Sequence, residues 1–302
     1  MRRGRSRSAA VALVVVLAGA AAFALLTRPA RVSPQLLPAR AADLANGERI
    51  YHAASCAYCH RAADAPATNP GPPTGGAPFV TPVGTFHPGN LTPDVETGLG
   101  AWSEAQFVDA MVNGTSPDGR HYFPAFPYAA FRRMALADVR DLRAYLMSLA
   151  PARGAAPRPP SVPLEPLARR GVGLWKRLAL DATLAPAAPR EPGVARGAYL
   201  ANGPGHCGEC HTPRDRLMRL DEKRHFAGAA HPAGEGQVPS LRGLVARRRY
   251  KDAADLVLAL QEGETLGYDK LSSGGMGAIQ ANLARLPESD LRSIADYLLT
   301  LE

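Results

Sequence analysis

Cys56-Ala57-Tyr58-Cys59-His60 and Cys207-Gly208-Glu209-Cys210-His211 carry one pattern twice, Cys-x-x-Cys-His, and together use all four cysteines of the chain. This spacing lets two thiols on one short turn reach the two vinyl groups of a haem, with the next histidine held beneath the iron. In this reading Cys56 and Cys59 attach one haem c and His60 is its proximal ligand. Cys207, Cys210 and His211 do the same for a second haem c. A thioredoxin-type redox pair would sit in a βαβ context, which the flanking pattern lacks. A four-cysteine zinc site needs no histidine after each pair.

The flanks repeat as well. Asp138 to Leu149 aligns without gaps on Asp290 to Leu301. The separation from Cys56 to Tyr145 matches that from Cys207 to Tyr297 to within a single position. Each copy reads as a helix, the cysteine motif, long loops and a closing helix. Gly47 to Tyr51 leads into the first motif and Gly197 to Leu200 into the second. Ser103-Glu104-Ala105-Gln106 is a capping box opening a helix to about Val112. The closing helix near 136–149 places Leu142, Tyr145, Leu146 and Leu149 on one face. Short helices are also expected near Gly173–Leu180 and over Asp252–Gln261. Glycine (29) and proline (28) are abundant, which suits short helices joined by irregular loops such as 62–100.

Charge argues against nucleic acid as a partner. The formal charge of +8 falls to +1 once the seven arginines ahead of Asp43 are set aside. Arg247-Arg248-Arg249-Tyr250-Lys251 reads as a solvated face. Four arginines in positions 1–8 precede an uninterrupted apolar run, Ala9 to Leu26. That pattern predicts an N-terminal membrane anchor with the body outside the inner membrane; a cleaved signal peptide is the competing reading.

The distal ligands are less evenly written. Met276 lies in the glycine-rich stretch Ser272–Gly277 and is expected above the second iron. The matching position in the first copy is Phe126, which stands as far beyond His60 as Met276 does beyond His211, to within one position. Met134 is the nearest sulfur there. His121, His87 and an open site are the alternatives. Met111 and Met147 read as core and Met218 as surface. Trp102 and Trp175 read as core anchors.

Several stretches resemble the membrane-anchored cytochrome c subunits of periplasmic alcohol, gluconate and aldehyde dehydrogenases. They are Thr81–Phe86, Asn90-Leu91-Thr92-Pro93-Asp94, Gly98 to Ser103, Pro124-Ala125-Phe126-Pro127-Tyr128, and Arg196–Leu200 leading to Gly205-His206-Cys207. In that family methionine often stands where this chain has Phe126. Members with phenylalanine there carry a methionine at the place of Met134. A third haem domain, usual in those subunits, has no counterpart here. The resemblance implies covalent haem c, six-coordinate iron and electron transfer without catalytic residues. The expected architecture is all-α: a signal-anchor segment (1–28), a tether (29–42), a cytochrome c domain (43–150), a proline-rich linker (151–195) and a second cytochrome c domain (196–302). The expected function is transfer from a periplasmic dehydrogenase to a terminal oxidase or soluble cytochrome. The alternative is a two-haem enzyme of peroxidase or thiosulfate-oxidising type with a reactive first haem.

Overall fold

The structure is a computed structural model. It describes residues 2–67, 69–156, 158–180, 184, 187–232, 236–263 and 275–302, with side chains from Ala10 onward. It is mostly helical. In chain order the helices are α1 (Arg2–Leu26), α2 (Leu44–Ala53), α3 (Cys56–His60), α4 (Glu104–Asn113), α5 (Tyr128–Phe131), α6 (Leu136–Ser148), α7 (Glu165–Ala179), α8 (Val194–Asn202), α9 (Gly208–His211), α10 (Ala253–Glu262), α11 (Met276–Leu283) and α12 (Glu288–Leu299). Two short antiparallel hairpins interrupt the loops: β1 (Phe79–Thr81) with β2 (Gly84–Phe86), and β3 (Ala229–Ala230) with β4 (Gln237–Val238).

Helix ends follow local chemistry. Asp43 caps α2 by accepting from the Asn46 amide at 3.0 Å. Ser103 and Gln106 close a full capping box on α4, and Gly114 ends it in the left-handed region. Asp252 caps α10 by accepting from the Asp255 amide alone, and Gly263 ends it in the left-handed region. The hairpins escape the sequence pattern because strands this short show no alternation long enough to read.

Buried side chains gather in two clusters. One holds Ile50, Tyr51, Phe107, Val108, Met111, Val112, Phe131, Met134, Val139, Leu142 and Leu146. The other holds Leu200, Phe226, Leu256, Val257, Leu260, Leu283, Leu291, Ile294 and Leu298. At each cluster the entry helix crosses the closing helix through a glycine. A Cβ on Gly47 of α2 would overlap the Asp141 carbonyl and fall 2.8 Å from Tyr145 Cβ of α6. A Cβ on Gly197 of α8 would overlap the Ser293 carbonyl and fall 2.8 Å from Tyr297 Cβ of α12. Asp141 with Ser293, and Tyr145 with Tyr297, are pairs that the gapless alignment makes.

The anchor expected over residues 1–28 is corrected by the structure. Among the described residues no helix is long and apolar enough to cross a membrane. The single-pass anchor at the inner membrane, and the periplasmic placement argued from it, therefore lose their support.

The stretch expected as a tether runs along the first cluster. The Val32 amide donates to Asp109 Oδ1 at 2.6 Å, and Arg40 pairs with the buried Asp141 at 2.6 Å. Helix α7 crosses the proline-rich stretch and packs on the loop after α4. Its Lys176 is buried; the ammonium donates to the Asn113 and Gly114 carbonyls, both at 2.7 Å, and lies 4.4 Å from the Tyr128 ring centroid. Burial lowers its pKa to about 7. Trp102 packs, partly buried, against the first cluster, as expected of an anchor. Trp175 departs from that expectation. It is half-buried, donates to the Leu217 carbonyl at 2.7 Å and meets Tyr128 edge-on, so it clamps a loop.

Candidate haem-attachment sites

Both motifs are helical turns entered through a left-handed residue. Ser55, directly before Cys56, has φ +47°, and His206, directly before Cys207, has φ +38°. Each turns the chain sharply out of the preceding helix into the motif, α3 in the first copy and α9 in the second. Non-glycine residues adopt this conformation at a cost, so finding it at the same place twice ties the strain to the motif.

The four cysteines are free, half-buried thiols. Burial pushes Cys56 and Cys207 up to about 12, and Cys59 and Cys210 up to about 11. A redox pair or a zinc cluster works through thiolate and lowers that value. Among the described residues no three His, Cys, Asp or Glu side chains gather as a metal-ion site.

The histidines are held alike. His60 Nδ1 lies 2.7 Å from the Gly89 carbonyl, and His211 Nδ1 lies 2.7 Å from the Pro239 carbonyl. A carbonyl only accepts, so each Nδ1 carries the proton and each Nε2 keeps its lone pair. Burial holds both imidazoles below their usual value, against the opposing pull of that bond, so both rings are neutral at pH 7. A neutral ring fixed through Nδ1 with Nε2 available is the form a haem iron takes.

Two glycines complete the clamp, and reading the sequence alone misses both. The Gly75 amide donates to the His60 carbonyl at 2.7 Å, and the Gly228 amide donates to the His211 carbonyl at 2.8 Å. Gly75 has φ +76° and a Cβ there would fall 2.5 Å from Gly89 C. Gly228 has φ +84° and a Cβ there would fall 2.9 Å from the Val238 carbonyl oxygen. Each glycine therefore lets the motif and the carbonyl-bearing loop close on one another. The Leu91 amide donates to the Pro73 carbonyl at 2.8 Å and the Leu241 amide to the Phe226 carbonyl at 2.9 Å, extending the same register. A signal exists, since each copy has a glycine at a similar remove beyond its histidine. The two spacings are unequal and fall inside loops, where no period exposes them.

The distal candidates differ in surroundings. Met134 is fully buried between α5 and α6, in the cluster against which Cys56 packs. Phe126 sits among Tyr122, Tyr128 and Phe131, with ring centroids at 5.9, 6.3 and 5.5 Å. Met276 is half-buried and is the first residue of α11; positions 264–274 before it, with most of the glycine-rich stretch, lie outside the described residues. His121 is buried with Nε2 2.8 Å from the Thr27 carbonyl, and His87 Nδ1 is 3.3 Å from the Gly76 carbonyl. Met111 is buried in the first cluster, Met147 packs against it, and Met218 is exposed.

Residues 44–150 match the Cytochrome c family. The chain is 38% identical to a "Diheme cytochrome c-type" protein of Cereibacter sphaeroides, covering 97% of both chains. It is 38% identical, over 87% of its length, to one subunit of the nicotinate dehydrogenase of Pseudomonas putida, but spans only 22% of that protein. It is 28% identical over its whole length to the cytochrome c subunit of a quinone alcohol dehydrogenase from Gluconobacter oxydans, spanning 61% of it. The chain belongs to the c-type cytochrome family that the diheme cytochrome of C. sphaeroides represents. Covalently bound haem c is the cofactor of this class, and the thiols and fixed histidines described above fit it.

Proposed function

We propose that the chain carries two covalent haem c groups, one in each of two tandem cytochrome c domains, 43–150 and 196–302, joined through 151–195. It passes single electrons from a dehydrogenase to an oxidase or a soluble cytochrome. It is an electron carrier, not the catalytic subunit. When bound, haem c supplies a one-electron iron couple, and the protein sets its orientation and potential. Cys56 and Cys59 hold the first haem and His60 ligates it; Cys207, Cys210 and His211 serve the second. Met134 and Met276 are the distal ligands. Full burial of Met134 in the cluster against which Cys56 packs supports its role, because a sulfur kept from water favours the reduced iron. His121 is engaged at Nε2 in tying its loop to Thr27, which supports the sulfur over the imidazole.

The observation that carries the two-haem reading is the recurrence of the whole clamp: left-handed residue, motif turn, carbonyl on Nδ1 and glycine on the histidine carbonyl. The names of the relatives support a dehydrogenase as donor. The test is spectroscopic. The ferric protein should show sulfur–iron charge-transfer absorption from two haems. Met134→Ala should remove one contribution and Met276→Ala the other. A high-spin haem in the wild type that binds cyanide rapidly at the His60 site would overturn the carrier reading in favour of a reactive haem.

A further inference from the structure

The two copies do not stand side by side as independent units; each leans its distal segment on the other's attachment segment. On one side, Gly275 precedes Met276, and a Cβ there would fall 2.5 Å from Oη of Tyr58 and 3.0 Å from its Cζ. Tyr58 lies between Cys56 and Cys59, in the first motif. Around it, α11 packs against α2, Ala53 of α2 is buried in the second cluster, and Asn282 of α11 lies beside His52. On the other side, a Cβ on Gly203 would fall 3.6 Å from Cγ of Met134. The Tyr199 hydroxyl of α8 accepts from the Ala135 amide at 3.2 Å and donates to Asp138 Oδ2 at 2.7 Å. The His206 ring stands edge-on to Phe131 at 5.6 Å, and its Nε2 reaches the Ala54 carbonyl at 3.3 Å.

We propose that each distal methionine is positioned in trans: Tyr58 of the first motif braces Met276, and Tyr199 of the second entry helix, with Gly203 just past its end, braces Met134. The inference rests on the ligand assignment above. Its physical basis is reach. A methionine has three rotatable side-chain bonds and holds a fixed place only when its surroundings exclude the other rotamers. Met276 has Gly275 and Gly277 beside it, and neighbours without side chains exclude few rotamers. Met134 sits between the short α5 and Ala135, whose amide is bonded to Tyr199. The braces therefore couple sixth-ligand geometry at one site to the integrity of the other.

The test uses the full-length, haem-loaded protein. Met134→Ala and Met276→Ala first assign each charge-transfer band and each potential. Tyr58→Ala is then expected to weaken the band assigned to Met276 and lower that haem's potential, while Tyr58→Phe, which keeps the ring, stays near wild type. Tyr199→Phe, which removes the hydroxyl's two bonds, is expected to shift the Met134 band and leave the Met276 band unchanged. Hydrogen exchange gives a readout independent of the haems: α11 amides should exchange faster in Tyr58→Ala. Should Tyr58→Ala prevent haem attachment, Tyr199→Phe and exchange at α11 decide the matter. Changes confined to each variant's own haem, or unchanged exchange at α11, would overturn the brace. Met→Ala variants that keep both bands would instead overturn the ligand assignment, and the brace would fall with it.

Discussion

The helix crossings of the two copies are the same architecture held by different chemistry. Around Gly47 the polar centre is Asn46, whose amide donates to Asp138 at 2.9 Å and to Asp141 at 2.8 Å. Arg40 and Arg190 reach those carboxylates from outside, at 2.6 and 3.0 Å. Around Gly197 the same places hold Arg196 and Asp290, paired through two bonds at 3.0 and 3.2 Å, and Ser293 stands where Asp141 stands in the first copy. The first crossing spreads its charge over partners from across the chain. The second concentrates it in one buried ion pair. A glycine crossing tolerates either solution, because the backbone contact sets the geometry and the polar groups only need to be satisfied.

The largest expected break is Arg196→Met. It leaves Asp290 buried without its partner, which costs about 3–5 kcal/mol. Asn46→Ala should cost less, about 1–3 kcal/mol, because Asp138 and Asp141 keep their arginines. Urea unfolding gives the size. Hydrogen exchange shows whether α8 and α12 loosen in the first variant and α2 and α6 in the second.

Gly47→Ala and Gly197→Ala sharpen the common part. Each forces a Cβ into a facing carbonyl and should cost about 1–3 kcal/mol, equal within error if the crossings are truly alike.

Acid separates the two copies. Asp141 is buried, which raises its pKa, but Arg40, the Asp43 amide and Asn46 more than offset this and hold it below the usual carboxylate value. A depressed folded pKa gives stability that is present above the unfolded value of about 3.9 and lost as pH falls through the folded one. Asp141→Asn should therefore flatten the acid-unfolding curve in that range. Ser293→Ala should leave its acid slope unchanged.

The smallest effect is expected at the caps. Ser103→Ala and Asp252→Ala should each cost about 1 kcal/mol. Ser103→Ala should cost slightly more, since the reciprocal Gln106 bond of its capping box loses the geometry that the serine fixes. Thermal melts with paired exchange at α4 and α10 would resolve the difference.

Much of this is legible in the residues. The cysteine motifs, the Ser103 capping box, the closing helices and the gapless pairing of Asp138–Leu149 with Asp290–Leu301 are local or periodic signals. The crossings place Gly47 with Tyr145 and Gly197 with Tyr297, as that pairing requires. Other features are not legible. Met276 reads as a glycine-loop residue, yet it starts α11. Trp175 reads as a core anchor, yet it bridges to Leu217. The apolar run near the N-terminus reads as a membrane anchor, which the described helix does not support.

The sequence by itself determined that this is a c-type cytochrome, because covalent attachment demands two thiols and a histidine at fixed spacing on one turn. It also carries the cysteine motif and the closing-helix pattern twice, at matching distances. Only the tertiary structure decided which carbonyls hold the histidines, that Gly75 and Gly228 close the clamps, and that Tyr58 and Tyr199 reach across to the opposite copy. Those partners are far apart along the chain, and no local pattern records a contact made only when the chain folds back on itself.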